Sequence, residues 1–245
     1  MAAVELLLVR HGESEGNLAA AEADRAGAER IDLPARDADV RLSVTGREQA
    51  HALGRHLGRL DPSALPEAIW VSTYRRARET TAIALEAAGL DLPIRVDERL
   101  RDRELGILDG YTVRGVKTLF PEEATRRAFL GKFYHRPPGG ESWADLALRI
   151  RSVLRDIDEN EAGRVMIVSH DAVSSVIRYV TERIEENDLL EDARRNPMPN
   201  TGVTRLVRPS GAGRWTPDRV NSVEHLEAEN AEITEHSGEA DDTEA

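Results

Sequence analysis

The sequence predicts an α/β protein, a three-layer α/β/α sandwich around a mostly parallel central sheet. Three observations predict it. Val4 to Val9, Ala68 to Val71 and Val165 to Val168 are apolar runs of strand length. They lack polar alternation, so each reads as a strand buried on both faces. Segments with helical periodicity fall between them, the pattern of parallel strands joined by covering helices.

The elements follow in order. After the first strand, Leu42 to Thr45 leads into a helical stretch from Arg47 to Leu60. Ala50, Leu53, Leu57 and Leu60 recur there at helical spacing, and Ser43 or Thr45 can cap the start. The strand at Ala68 is followed by an Ala-rich helix from Arg76 to Ala88, stopped by Gly89. Leu92 to Val96 reads as a short strand weakened by Pro93. Glu122 to Phe133 has helical character, and His135 to Gly140 is a turn region rich in Pro and Gly. Ser142 and Asp145 resemble a capping box. They open a helix whose apolar stripe runs from Trp143 through Leu146, Ile150, Val153 and Leu154 to Ile157. Gly163 turns the chain into the strand at Val165, and Ala172 to Val180 is the next helix. Val203 to Val207 reads as a late strand at a sheet edge, with Arg214 to Val223 as a short hairpin arm.

The chain has 245 residues, no internal repeat and no Pro/Gly/Ser-rich linker, so a single domain over residues 1–220 is the simplest division. It has no cysteine, which excludes disulfides, thiolate nucleophiles and Cys-based metal sites. That fits a cytoplasmic protein, although a secreted protein can also lack cysteine. No N-terminal signal pattern or membrane-length apolar run is present. Net charge is −12, yet residues 221–245 hold nine Asp/Glu and no Lys/Arg, leaving about −3 for the rest. That terminal stretch reads as a disordered acidic tail, in which His225 and His236 belong to no fixed site. Such an acidic chain excludes a general nucleic-acid surface. A local arginine pocket for an anion remains open.

The chemistry collects at the C-terminal ends of the strands, where open α/β sheets bind ligands. The first strand runs into Arg10-His11-Gly12-Glu13-Ser14. The second runs into Ser72-Thr73-Tyr74-Arg75-Arg76, and a later one into Ser169-His170-Asp171. Imidazole suits phosphoryl transfer, because one ring nitrogen attacks phosphorus while the other fixes the tautomer. Arginines match phosphoryl oxygens with rigid charged donors. Gly12 would let the backbone pass close to the anion. A metal site built from His11, His170, Asp102 and Asp171 is the competing reading. No close-spaced metal motif supports it, and convergent arginines would repel a cation, so no metal and no cofactor are expected.

Leu8-Val9-Arg10-His11-Gly12-Glu13-Ser14 resembles the signature of the histidine phosphatase superfamily, which includes the cofactor-dependent phosphoglycerate mutases. Asn17, the segment from Ser72 to Thr80, and Val168-Ser169-His170 extend the resemblance, which covers roughly Glu5 to Leu206. It implies a phosphoglycerate mutase-like fold and a phosphohistidine at His11. It also implies that Arg10, Arg76, His170 and Asn17 hold the phosphoryl oxygens. A carboxylic acid would protonate the leaving oxygen and later activate water. The family's Glu falls at Asp102, one methylene shorter, with Glu104 as the alternative. Asp171 stands where Gly is common, and reads as a cap for the next helix or a partner for a histidine.

The resemblance leans toward the phosphatases. The mutases carry a proline-rich substrate segment, whereas this chain has Gly131 to Ser142, closer to the insert of phosphatase-like members. An insert around 107–141 is expected to form a lid, with Tyr134, His135 or Arg136 meeting the substrate's non-reacting part. The expected substrate is a small phosphorylated metabolite, with no nucleic-acid or membrane partner; the oligomeric state stays open. A phosphoglycerate mutase, or a non-catalytic relative that binds phosphorylated ligands, are the alternatives.

Overall fold

The computed structural model describes residues 2–236 apart from 34 and 162. In chain order the elements are β1 (Ala3–Arg10), α1 (Glu15–Arg25), α2 (Val44–Leu57), β2 (Ala68–Ser72), α3 (Arg75–Ala88) and β3 (Ile94–Asp97). Then come α4 (Val113–Leu119), α5 (Pro121–Leu130), α6 (Trp143–Asn160), β4 (Gly163–Ser169) and α7 (Asp171–Glu182). The chain ends with α8 (Glu186–Arg195), β5 (Val203–Val207), β6 (Thr216–Ser222) and α9 (Glu224–Glu229). The sheet order is β3-β2-β4-β1-β5-β6. The first four of these run parallel, while β5 and β6 are antiparallel additions at one side.

The apolar runs do what strands buried on both faces must do. Side chains alternate across a strand. Leu6 and Leu8 of β1, with Val165 and Ile167 of β4, enter one core with Leu146 and Ile150 of α6 and Val173 and Ile177 of α7. Val9, Met166 and Val168 enter the other, with Leu53 and Leu57 of α2 and Ala84 and Leu85 of α3. Each such aliphatic side chain contributes about 1.5–3 kcal/mol by leaving water. Helices on both faces give the expected α/β/α sandwich.

The helix punctuation is local. Ser43 caps α2 by accepting from the Gly46 amide, and Gly89 ends α3 with φ 66°. Ser142 and Asp145 form the capping box of α6. Three elements, α1, α4 and α8, had no specific reading in the sequence. β5 is not the sheet edge: β1 flanks it on one side and β6 on the other, so the exposed polar hairpin arm takes the edge.

The expected disordered tail begins too early. Over residues 221–236 the chain completes β6, forms α9 and runs on to the strand-end edge of the sheet. Leu226 and His225 are buried, and Glu229 accepts from Arg55 of α2 and from Arg59 just after it. The acidic residues find their counter-charges on other elements, so a segment without Lys or Arg of its own still packs. Residues 237–245 of the expected tail lie outside the described residues.

Register fixes where the chemistry meets. Val9 pairs with Val168 and Arg10 with Ser169, while Val71 pairs with Val168 from the other side. Three strands thus end level, and the residues that follow each converge at one edge. Among the described residues, no helix is long and apolar enough to cross a membrane.

Candidate active site

His11 leaves β1 with its amide bonded to the Ser169 carbonyl at 3.0 Å. Its Nδ1 lies 2.7 Å from the Gly12 carbonyl oxygen. A carbonyl cannot donate, so Nδ1 carries the proton and Nε2 carries the lone pair. Nε2 accepts from Arg76 Nε at 3.1 Å. Burial, followed by the positive surroundings of Arg76, His170 and Arg10, holds the His11 pKa well below its ordinary value. The ring is therefore neutral with a fixed tautomer, the state a nucleophilic imidazole needs.

Gly12 also has a packing role. A Cβ there would lie 2.5 Å from the Gly46 carbonyl oxygen, and one on Gly46 would lie 1.9 Å from that of Glu13. The glycines let the nucleophile loop pack onto the start of α2. The Gly12 amide donates to Thr80 Oγ1 at 3.0 Å, and Glu13 accepts from Ser43 Oγ at 2.7 Å.

His170 follows β4 and is 1% exposed. Its Nε2 lies 2.9 Å from Ser72 Oγ at the end of β2. Its Nδ1 is 3.2 Å from Asp102 Oδ2, without a well-aligned hydrogen bond. The two histidine rings sit 5.1 Å apart, inclined at 62°. Burial lowers the His170 pKa, with Asp102 opposing. For Asp102, burial works upward, but His170, Arg76 and the Arg103 amide outweigh it and hold the carboxyl well below its usual range.

Arg76, in the first turn of α3, spreads its guanidinium across the site. Besides His11 it donates to the Asp37 carbonyl and to both Asp37 carboxylate oxygens, at 2.8, 2.9 and 3.1 Å. It also reaches Asp102 Oδ2 at 3.1 Å. Arg10, 1% exposed, donates from Nη1 to the Met198 carbonyl and from Nη2 to the His236 carbonyl. Among the described residues its buried Nε has no hydrogen-bond partner. Asn17 is the N3 residue of α1, and its Oδ1 closes a capping box with Ser14. Arg10, His11, Asn17, Arg76, Asp102 and Glu104 all line one cavity of about 250 Å³.

The two candidate acids differ in setting. Asp102 bridges Arg76 and His170, whereas Glu104 accepts from Tyr74 Oη at 3.0 Å and stands half-exposed at the mouth. A partly buried arginine, Arg149 of α6, holds the Asp102 segment by its backbone. It donates to the Arg101 carbonyl at 2.9 Å and the Asp102 carbonyl at 3.0 Å. That clamp sets the backbone position from which the shorter carboxylate reaches.

Other expected contacts fall elsewhere. Tyr134 Oη donates to Glu186 and Arg136 pairs with Asp145, both at the surface and outside the cavity lining. His135 lies 3.1 Å from Glu123 and lines a neighbouring cavity of about 170 Å³. That cavity shares Arg103, Leu105 and Tyr111 with the first, and the insert walls it through Val113, Val116 and Ala124. Asp171 does not cap α7; its Oδ1 accepts from the Met198 amide at 3.0 Å. Arg75 pairs with Glu79 rather than facing the cavity. Among the described residues no group of His, Asp and Glu is set to hold a metal ion.

Asp37, Arg149, Met198 and His236 were missed by the sequence reading. Only Asp37 lines the cavity itself. The others act through hydrogen bonds to Asp102 or Arg10 from distant parts of the chain, and nothing in the local sequence announces such contacts.

The chain is 33% identical over 184 residues to a 2,3-bisphosphoglycerate-dependent phosphoglycerate mutase 2 of Gloeobacter violaceus, covering 74% of this chain and 75% of that one. It is 30% identical over 183 residues to a 6-phosphofructo-2-kinase/fructose-2,6-bisphosphatase of Aquarana catesbeiana. The chain spans about a third of the length of that protein and its homologues. Among solved structures, a mycobacterial glucosyl-3-phosphoglycerate phosphatase superposes with a TM-score of 0.68 at 25% identity, covering 89% of this chain and 99% of that one. YhfR of Bacillus stearothermophilus superposes at 0.71 and 26% identity, covering 92% and 100%. Residues 6–222 match the description of the histidine phosphatase superfamily (branch 1), and the chain belongs to that family.

Proposed function

We propose that this protein is a phosphomonoester hydrolase that works through a phosphohistidine at His11 on a small phosphorylated metabolite. The observation that carries the reading is the Gly12 carbonyl at His11 Nδ1, which commits the Nε2 lone pair to the cavity side shared with Arg76. In the first step Nε2 bonds to phosphorus and the ester P–O bond breaks. The leaving oxygen takes a proton from Asp102. Arg10, Arg76 and His170 hold the phosphoryl oxygens, with Asn17 assisting. In the second step Asp102 takes a proton from water, whose oxygen bonds to phosphorus as the P–N bond breaks. His11 returns neutral and Asp102 returns protonated.

The low resting pKa of Asp102 is compatible with this role. A bound phosphoryl dianion competes for Arg76 and His170 and adds a like charge beside the carboxylate, which raises its pKa toward that of a proton donor.

The similarity to a phosphoglycerate mutase supplies the second reading. The cavity mouth argues against it. Asp37, Glu104 and Asp109 all line it, and burial with the charge of the other two pushes the Asp109 carboxyl upward. A second phosphate beside these three carboxylates would meet like charge, set against Arg36 and Arg103 of the same lining.

The deciding assay runs the protein against sugar phosphates, phosphoglycerates, nucleotides and phosphoamino acids. Rapid quenching should trap acid-labile phosphate on the wild-type protein and none on His11→Ala. Isomerisation of monophosphoglycerate faster than phosphate release would make the protein a mutase. Phosphate binding without turnover of any ester would make it a binding protein.

A further inference from the structure

We propose that residues 231–236 are a strap that positions Arg10 for the phosphoryl group, with Thr234 and His236 as its positioning residues. The inference rests on reading the His11 cavity as a phosphoryl site.

The path of the chain is the first argument. α9 ends at Asn230 in the left-handed region, φ 52°, and the Ala231 amide returns to the Leu226 carbonyl. From there the segment does not turn into solvent. Gln49 Nε2 donates to the Glu232 carbonyl and to Thr234 Oγ1, each at 2.9 Å. The Asn200 amide donates to the Thr234 carbonyl at 3.0 Å, and Thr234 Oγ1 donates to Asn200 Oδ1 at 3.1 Å. His236 Nε2 sits 3.0 Å from Glu13 Oε2.

The identity of the anchors is the second argument. Each also holds the nucleophile loop. Gln49 Oε1 accepts from the Glu13 amide at 2.9 Å, and Asn200 Nδ2 donates to the His11 carbonyl at 3.1 Å. Gln49 and Asn200 are both fully buried.

The third argument is the state of Arg10. One side of its guanidinium is set by Asp171, through the Met198 amide and the Met198 carbonyl. The strap supplies the other side through the His236 carbonyl. With both terminal nitrogens held by carbonyls, the buried Nε is the atom left without a partner among the described residues. Arg10 lines the cavity, and a buried charged donor without a partner is a group that an anion can satisfy. Without the strap, Nη2 loses its fixed acceptor and the guanidinium regains rotamers. Displacement of such a group by about 1 Å costs on the order of 10²-fold.

The test uses inorganic phosphate as the probe, measured by calorimetry, with p-nitrophenyl phosphate turnover alongside. Ending the chain after Ile233 keeps α9 and removes Thr234 and His236. We expect phosphate affinity and kcat/KM to fall roughly 10- to 100-fold. In an Arg10→Met background the same truncation should cost almost nothing further, because its effect passes through Arg10. Equal losses in both backgrounds would reduce the strap to general stabilisation. Tighter phosphate binding on truncation would make it a competitor for Arg10. Either result overturns the proposal.

His236→Ala and His236→Gln provide a second arm that decides alone where Arg10→Met binds too weakly to measure. Gln can restore a donor to Glu13, so it should recover phosphate affinity while Ala does not, at matched melting temperatures. Failure of Gln to recover it counts against the strap. Phosphate binding that responds to the strap, in a protein that turns over no ester, would refute the hydrolase reading and leave the strap standing. The absence of both phosphate binding and ester turnover in the intact protein would overturn both.

Discussion

Replacing Asp102 by Asn removes a charge and a transferable proton while keeping the side-chain shape. Asp102 Oδ2 lies 3.1 Å from Arg76 Nη2 and 3.2 Å from His170 Nδ1. The substitution therefore changes both proton delivery and the setting of two phosphoryl-holding groups. Leaving groups separate these effects. An alkoxide must be protonated as it departs, whereas p-nitrophenolate departs without help. General acid catalysis is worth roughly 10²–10⁴-fold, so Asp102→Asn should lower kcat/KM for an alkyl phosphate by about that factor. For p-nitrophenyl phosphate the loss should be about 10-fold, the scale of one charge-assisted hydrogen bond. The assay is steady-state turnover of both esters from pH 4 to 9. In the wild type, alkyl phosphate turnover should fall as pH rises through the pKa of the acid in the bound complex, and the variant should lose that limb. Equal loss on both esters would refute proton delivery by Asp102. Transfer of the leaving-group dependence to Glu104→Gln would assign the acid to Glu104.

Three further outcomes follow from the packing. Burial lowers the His225 pKa to about 4, with His56 adding to the effect. As pH falls below the unfolded value of about 6.5, the unfolded chain takes the proton first, so stability present above that pH is lost on the way to 4. Between pH 6.5 and 5 the loss should be about 2 kcal/mol, and His225→Asn should flatten that slope in urea unfolding. Gly46→Ala places a Cβ 1.9 Å from the Glu13 carbonyl oxygen; denaturant melts should show about 1–3 kcal/mol of destabilisation, together with lost turnover, since the same loop carries His11. Arg149→Met removes the clamp on the Asp102 backbone. It should lower kcat for alkyl phosphates far more than for p-nitrophenyl phosphate, because it acts through the acid.

What the sequence made legible is what local pattern encodes. Apolar runs such as Val165 to Val168 can only be satisfied inside a sheet covered on both faces, so the layers were readable from hydrophobicity alone. Caps such as Ser142 with Asp145 are written within four residues of each other, and the structure places them as read. His11, Arg10, Arg76 and His170 were found because each directly follows, or nearly follows, a recognisable strand. The rest of the site obeys no local period. Asp37 opens a short polar 3₁₀ turn and meets Arg76 only through the fold.

The acidic terminus shows why composition failed there. A run of Glu without Lys or Arg reads as solvated when its partners are sought nearby. Here Glu229 meets Arg55 and Arg59, more than 160 residues earlier, and His236 meets Glu13 across more than 220. Charge balance is a property of contacts, and contacts between the ends of a chain leave no trace in a sliding window. The same reasoning explains Arg10. Its identity was plain from the strand it ends, but the two acceptors its terminal nitrogens meet are the backbone carbonyls of Met198 and His236. Backbone acceptors are shared by every residue type, so the group that aims a charged side chain can be invisible in sequence even when the side chain itself is not.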